Sequence, residues 1–201
     1  MITIIDYGMG NIGSLQNMIK RVGGTSISTS DPIEILSAQK LILPGVGHFG
    51  QAMERLVNLK LVDILNEAVI QRHIKILCIC LGAQLATQSS EEGIKPGFGW
   101  IDGKTIRFQL GNEYRLPHMG WNDIKLQKES RLFTGMPENP RFYFVHSYHL
   151  ALEQKEDILA ETEYGYKFTA AFEHENIYGM QYHPEKSHKY GMCIMNNFVE
   201  L

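Results

Sequence analysis

At 201 residues, with 44% hydrophobic and 20% charged side chains, the chain has the size and composition of a globular protein able to bury one full core. A net charge of −3 and a pI near 6.2, with no basic block, speak against a nucleic-acid binder. No apolar run is long enough to span a membrane, and the start Met1-Ile2-Thr3-Ile4-Ile5-Asp6 lacks the basic flank of a signal peptide.

Residues 2–5 read as a buried first strand, followed by the glycine-broken loop Asp6-Tyr7-Gly8-Met9-Gly10-Asn11. Leu15, Met18, Ile19 and Val22 then fall at helical spacing, and Gly23-Gly24 ends that helix. Strand, glycine loop and helix form the outline of a dinucleotide fingerprint, Gly8-x-Gly10-x-x-Gly13. No acidic ribose ligand follows at the end of a second strand, so a structural or interface loop is the preferred reading. Residues 25–29 form a short strand, and Asp31-Pro32-Ile33-Glu34 opens a helix. The strand at 40–43 runs into Pro44-Gly45-Val46-Gly47, either a plain turn or a loop that aims N–H groups at an anion. Helices are expected over 51–57 and 61–71.

Residues 74–79 are apolar and β-prone, and they end at Cys80-Leu81-Gly82-Ala83-Gln84-Leu85. This reads as strand, sharp turn and helix, with the thiol at the bend. Such an elbow exposes a nucleophile and places it at a helix N-terminus, which favours thiolate. The competing reading is a buried core cysteine. Three cysteines, Cys78 and Cys80 too close to pair readily, indicate a reduced, cytoplasmic setting. In an extended strand their sulfurs would lie on one side, but the spacing is too short for structural zinc, and no metal site is expected.

Alternating strand and helix up to this point predicts a parallel sheet with helices on both faces, its site at the strand C-termini. After Gln88 the pattern changes. Residues 89–99 are polar and glycine-rich. Strand-like runs follow at 104–108, 121–126, 141–150, 158–163, 168–173 and 177–182, and a helix begins near Lys186. The expected fold is α/β: a mostly parallel sheet with flanking helices and an antiparallel C-terminal half, forming one domain over residues 1–201.

A thiol nucleophile needs a base, and the base an orienting group. Of eight histidines, His183 in Gln181-Tyr182-His183-Pro184-Glu185 is the best placed, at the end of an apolar strand. In an extended segment His183 and Glu185 share a side, so the carboxylate can hold one ring nitrogen. His118, His146 and His149 could also approach. His48, His73, His174 and His188 are read as surface or structural residues.

These stretches resemble the class I (triad) glutamine amidotransferases, and more closely the glutaminase subunits of imidazole glycerol phosphate synthases. The matching segments are Asp6-Tyr7-Gly8-Met9-Gly10-Asn11, Leu43-Pro44-Gly45-Val46-Gly47-His48-Phe49, Cys80-Leu81-Gly82-Ala83-Gln84-Leu85, Pro117-His118-Met119-Gly120-Trp121-Asn122, Tyr143-Phe144-Val145-His146-Ser147-Tyr148 and His183-Pro184-Glu185-Lys186-Ser187. They occur in family order along essentially the whole chain. The resemblance implies hydrolysis of L-glutamine to glutamate and ammonia, with Cys80 as nucleophile, His183 as proton shuttle and Glu185 orienting His183. It implies an oxyanion hole from the backbone N–H groups of Leu81 and, after a loop rearrangement, Val46. Gly45, Gln84, His146, Ser147 and Tyr148 would hold the glutamine. Ammonia would pass to a separate (β/α)8-barrel cyclase subunit in a heterodimer, with Asn11, Tyr143 and Lys186 near the interface. No cofactor is implied. The chain departs from the family at Cys78, where a glycine is usual, which puts the tightness of the elbow in question. Three alternatives remain: a paralogous glutaminase feeding another synthase, such as one amidating surface-sugar precursors; a non-catalytic interaction subunit; and a standalone cysteine hydrolase.

Overall fold

The computed structural model describes residues 1–201. The first half alternates β1 (Ile2–Ile5), α1 (Ile12–Arg21), β2 (Ser26–Thr29), α2 (Pro32–Leu36), β3 (Lys40–Leu43), α3 (Phe49–Asn58), α4 (Leu61–Asn66), β4 (Lys75–Ile79) and α5 (Leu81–Leu85). All four residues of β1 are buried, as a strand covered on both faces requires. Asp31 starts α2 as the sequence predicts: its Oδ1 accepts the Ile33 N–H at 2.7 Å and the Glu34 N–H at 3.2 Å. His48 caps α3 by accepting the Gly50 N–H on Nδ1 at 3.1 Å. The expected helix over 61–71 is α4 continued by a π-helical turn, Glu67–Gln71.

The second half contains β5 (Ser89–Ser90), β6 (Gly103–Arg107), β7 (His118–Asp123), β8 (Lys125–Leu126), β9 (Arg141–His146), β10 (Tyr148–Leu152), β11 (Ile158–Tyr164), β12 (Tyr166–His174), β13 (Ile177–Met180) and α6 (His188–Glu200). The main sheet runs β2-β1-β3-β4-β13-β12-β10-β6-β5, with β11 on β12 and β8 on β11. Strands β2 through β13 in that order are mutually parallel, and β12 turns the sheet antiparallel. A separate ribbon pairs β7 with β9.

Three expectations for this half need correction. The run 177–182 is expected in the antiparallel half. Instead β13 inserts parallel to β4, with Ile177 opposite Ile76 and Met180 opposite Ile79, because four fully buried residues need a ladder on both sides. The run 141–150 is two strands broken at Ser147, β9 in the ribbon and β10 in the main sheet. The run 121–126 likewise divides between β7 and β8, with Ile124 turned inward and its N–H donated to the Pro140 carbonyl at 3.1 Å. Long-range pairing sets both breaks: β9 pairs with β7 in the ribbon while β10 pairs with β6 and β12, and β8 leaves the ribbon to pair with β11.

Two cores flank the main sheet. Ile4, Leu77 and Ile79 face the side covered by α1 and α6, with Leu15, Ile19, Ile194 and Phe198. Leu43, Ile76 and Cys78 face the side of α3 and α4, with Phe49, Leu56 and Leu65. This alternation is the pleat of a strand covered on both sides.

Candidate active site

Strict alternation would place Cys80 on the face of Cys78, but it packs in the opposite core. The reason is its backbone, φ 53° and ψ −108°, the left-handed side of the map that non-glycine residues seldom occupy. The expectation that both sulfurs lie on one side is therefore overturned by the elbow itself. Its strain is held by the Cys80 N–H donating to the Met180 carbonyl at 2.7 Å and the Gln84 N–H donating to the Cys80 carbonyl at 3.2 Å. A side chain on Gly82 would collide with the Leu43 carbonyl, so only glycine lets α5 start this close to β3.

Cys78 does not open this turn. It is fully buried beside its β13 neighbour Gly179, where a side chain would collide with the Phe172 ring. Burial pushes the Cys78 thiol up, which leaves it unreactive.

Parallel pairing of β13 with β4 brings His183 to the thiol. The His183 N–H donates to the Tyr143 carbonyl at 2.9 Å, and its own carbonyl accepts the Ser187 hydroxyl at 2.6 Å. Its Nδ1 lies 2.8 Å from Glu185 Oε1, with both side chains 2% exposed. The sequence places these two residues on one side of an extended segment. Here Pro184–Lys186 is instead a 3-10 turn, because proline's fixed φ suits a helical first turn, and the carboxylate folds back onto the ring. A carboxylate on Nδ1 makes that nitrogen the donor and turns Nε2 toward Cys80. Burial disfavours the imidazolium, but the neighbouring Cys80 sulfur and Glu185 carboxylate outweigh it and raise His183 to about 10. Buried Nε2 is engaged by no other side chain or backbone group, which leaves it for Cys80.

Cys80 and His183 open on a cavity of about 190 Å³ lined by Val46, Gly47, Leu81, Gln84, Glu92 and residues 145–148. This is below the roughly 300–1,000 Å³ of drug- and cofactor-sized pockets, and it suits a small amino acid. The structure thus brings Cys80, His183, Leu81, Val46, Gln84, His146, Ser147 and Tyr148 to one cavity. The Val46 N–H, in a loop, makes no backbone hydrogen bond, and the Leu81 N–H, at the first position of α5, has no partner within its helix. Gly45 does not line the cavity. A Cβ there would lie 2.7 Å from Leu81 Cβ and 2.8 Å from the Tyr7 hydroxyl, so its bareness seats the loop against the elbow. The first glycine loop braces the same segment: the Tyr7 hydroxyl donates to the Pro44 carbonyl at 2.8 Å, and a Cβ on Gly10 would lie 2.8 Å from Pro44 Cγ.

Sequence reasoning misses Glu92 and Gln181. Glu92 is the one carboxylate lining the cavity, and its Oε2 accepts the Phe49 N–H at 2.9 Å. Nothing in its polar loop marks it. Gln181 stands out in the sequence only as part of the strand before His183. The other candidate histidines divide. His146 lines the cavity, His118 stands behind it at 3.0 Å, and His149 bonds Tyr166 at 2.9 Å on the sheet. Burial lowers all three, His118 to about 4, so the cluster is neutral. His174 pairs with Asp157, and His188 stacks on Trp121. Of the expected interface residues, Lys186 Nζ sits 5.6 Å above the Tyr143 ring, whereas Asn11 precedes α1 with no side-chain capping bond.

A thiol at a strand-to-helix elbow beside a carboxylate-held imidazole is an arrangement that can carry acyl transfer through a cysteine. The chain belongs to the class-I glutamine amidotransferases: the family model described as "Glutamine amidotransferase class-I" matches residues 3–201. It is 53% identical to imidazole glycerol phosphate synthase subunit HisH 2 of Methanococcus maripaludis, covering 100% of this chain and 99% of that one. It is 48% identical to the HisH 2 subunit of Pseudomonas aeruginosa over 100% of both chains. Among solved structures, it superposes on a putative GMP synthase component of Thermoplasma acidophilum with a TM-score of 0.75 at 18% identity, covering 99% of this chain and 92% of that one. That likeness shows the fold.

Proposed function

We infer that this chain is a HisH-type glutaminase that hydrolyses L-glutamine to glutamate and ammonia for imidazole glycerol phosphate synthase in histidine biosynthesis. The carrying observation is full-length similarity to HisH subunits together with Cys80 and the His183–Glu185 pair on one cavity. The Cys80 thiolate attacks the side-chain amide carbon of glutamine. The Leu81 and Val46 N–H groups hold the oxyanion, Val46 after rearrangement of its loop. The His183 imidazolium gives its proton to the departing ammonia, leaving a thioester on Cys80. Neutral His183 then takes a proton from water, hydroxide adds to the thioester, and glutamate leaves as the thiolate returns. Glu185 keeps the proton on Nδ1 between steps. Gln84, His146, Ser147 and Tyr148 hold the amino-acid end, with Gly45 behind the loop, and the Glu92 carboxylate suits its ammonium.

The partner is the cyclase, built as a (β/α)8 barrel and bound as a heterodimer. It docks where Met119 is 60% and Trp121 40% exposed, beside Tyr143 and Lys186, and by the family likeness it also meets Asn11 at the start of α1. Tyr143 is bonded directly to His183, so that surface is mechanically close to the base. The unit is one domain over residues 1–201, acting in the cytoplasm without nucleic acid or membrane. No helix is long and apolar enough to cross a membrane.

A second reading has the same chemistry feeding a paralogous synthase. It is favoured by one comparison: M. maripaludis carries two such subunits, and this chain is 53% identical to HisH 2 but 43% to HisH 1. Glutamate release should be measured alone, then with a histidine-pathway cyclase and its nucleotide ligand. Low activity that rises with this partner supports the first reading. Activation only by a different synthase supports the second, and high activity alone marks a standalone hydrolase. A Cys80→Ala chain with unchanged glutamine-dependent synthase activity would leave it a non-catalytic subunit.

A further inference from the structure

The hydrolysis scheme leaves one buried amide without a task. Gln181 is fully buried and Gln84 is 4% exposed. Buried amides persist where their hydrogen bonds are met. Gln84 Nε2 donates to the Tyr148 carbonyl at 3.1 Å and to Gln181 Oε1 at 3.2 Å. A carbonyl only accepts, so it fixes which end of the Gln84 amide faces it. That end also meets the oxygen of Gln181, which leaves the Gln181 NH2 turned to Cys80 Sγ at 3.9 Å. The Tyr148 carbonyl is pinned in turn by His146 Nδ1 at 2.7 Å. Amide orientation is thus handed from the backbone to the sulfur through two glutamines.

We propose that Gln181 is a thiolate-stabilising residue, its Nε2–H donating to Cys80 Sγ, and that Gln84 is the positioning residue that keeps this end of the amide on the sulfur. The inference rests on Cys80 being the reactive thiol and not on the identity of substrate or partner. The titratable groups around the thiol are His183 just beyond β13, Tyr7 from the first glycine loop with Arg55 beside it, Cys78 on the opposite face of β4, and His146, Tyr148 and Glu92 around the cavity. Gln181 differs from all of them in staying neutral at every pH. It favours the thiolate without competing for its proton, both before attack and when the thioester releases the sulfur.

The test is iodoacetamide alkylation of Cys80 in the intact chain against pH, followed by mass spectrometry of the modified residue. Gln181→Met keeps the volume and removes the donor. Its alkylation rate at pH 7 is expected to fall about three- to tenfold, with the high-pH plateau unchanged. Gln84→Met, which frees the Gln181 amide to turn over, should show a smaller fall of the same form, and it decides the matter if Gln181→Met does not fold. An unchanged profile overturns the proposal. So does an equal fall at every pH, which would mean that Gln181 shapes access to the sulfur rather than its ionisation. Because no glutamine is involved, the result stands apart from that of the glutaminase assay.

Discussion

Replacing Tyr182 with Phe is expected to stabilise the protein. Tyr182 is fully buried, its ring stacked on Phe142 with centroids 4.0 Å apart and set edge-on to Phe144 at 5.6 Å. Its hydroxyl has no hydrogen-bond partner, and burial pushes its ionisation up. Folding therefore strips this group of water and returns no bond, a cost of about 1–3 kcal/mol. Tyr182→Phe keeps both ring contacts and removes only the oxygen. A small void offsets part of the gain, leaving about 1–2 kcal/mol. For a chain of this length each kcal/mol moves Tm by about 2–4 °C, so the midpoint should rise by about 2–8 °C. Urea unfolding reads the same change as a higher midpoint at constant slope. A loss of roughly 0.5 kcal/mol or more would refute the reasoning, because it would require the hydroxyl to be bonded in solution.

Glu185→Gln should lower kcat for glutamine about 100- to 1,000-fold with KM nearly unchanged, since a neutral amide neither stabilises the imidazolium by its charge nor forces the neutral ring to keep its proton on Nδ1; steady-state kinetics with the partner check it, and an unaltered kcat would remove Glu185 from the mechanism. Gly82→Ala should cost about 2 kcal/mol or more and nearly all activity, because its Cβ meets backbone at the elbow. Gly13→Ala, with nothing within 4 Å of the new methyl, should be neutral or stabilising by about 0.5–1 kcal/mol, and parallel melts separate the two glycines. Stability should fall on both sides of neutrality. His118, held near 4, and His146, held well below its ordinary value, take up protons more readily unfolded, so their contribution is present above about 6.5 and lost as pH falls toward 4. His183, raised to about 10, has the opposite sign: its contribution is present below about 6.5 and lost as pH rises through 10. Unfolding free energies that climb steadily from pH 5 to 9 would contradict this.

Legibility in the sequence followed the range of the interactions. The Cys80 turn, the Asp31 cap and the strands before them rest on neighbours a few residues apart, and so on local pattern. The His-Pro-Glu stretch was legible as chemistry but not as geometry, since the carboxylate reaches the ring through a 3-10 turn rather than along a strand. Insertion of β13 beside β4 depends on pairing residues 76–79 with 177–180, which no local pattern encodes. The breaks at Ser147 and Ile124 were invisible because they depend on which distant strand each piece pairs with: β9 with β7, β10 with β6, and β8 with β11. Glu92 and Gln181 escaped because one isolated polar residue carries no periodicity, and their roles exist only once distant strands meet.

The place of β13 also has a consequence for biosynthesis. Until β13 is made, β4 is the bare edge of the parallel sheet, with four of its five residues buried in the finished fold and its ladder open on one side. At about 5–20 residues per second, some 5–20 s pass between the emergence of Ile79 and that of Ile177. Through that interval the nascent chain carries a sticky strand and an unguarded thiol, and no base. The enzyme is therefore silent on the ribosome but vulnerable there, and lesions that slow synthesis between these two strands should appear as aggregation rather than as impaired catalysis.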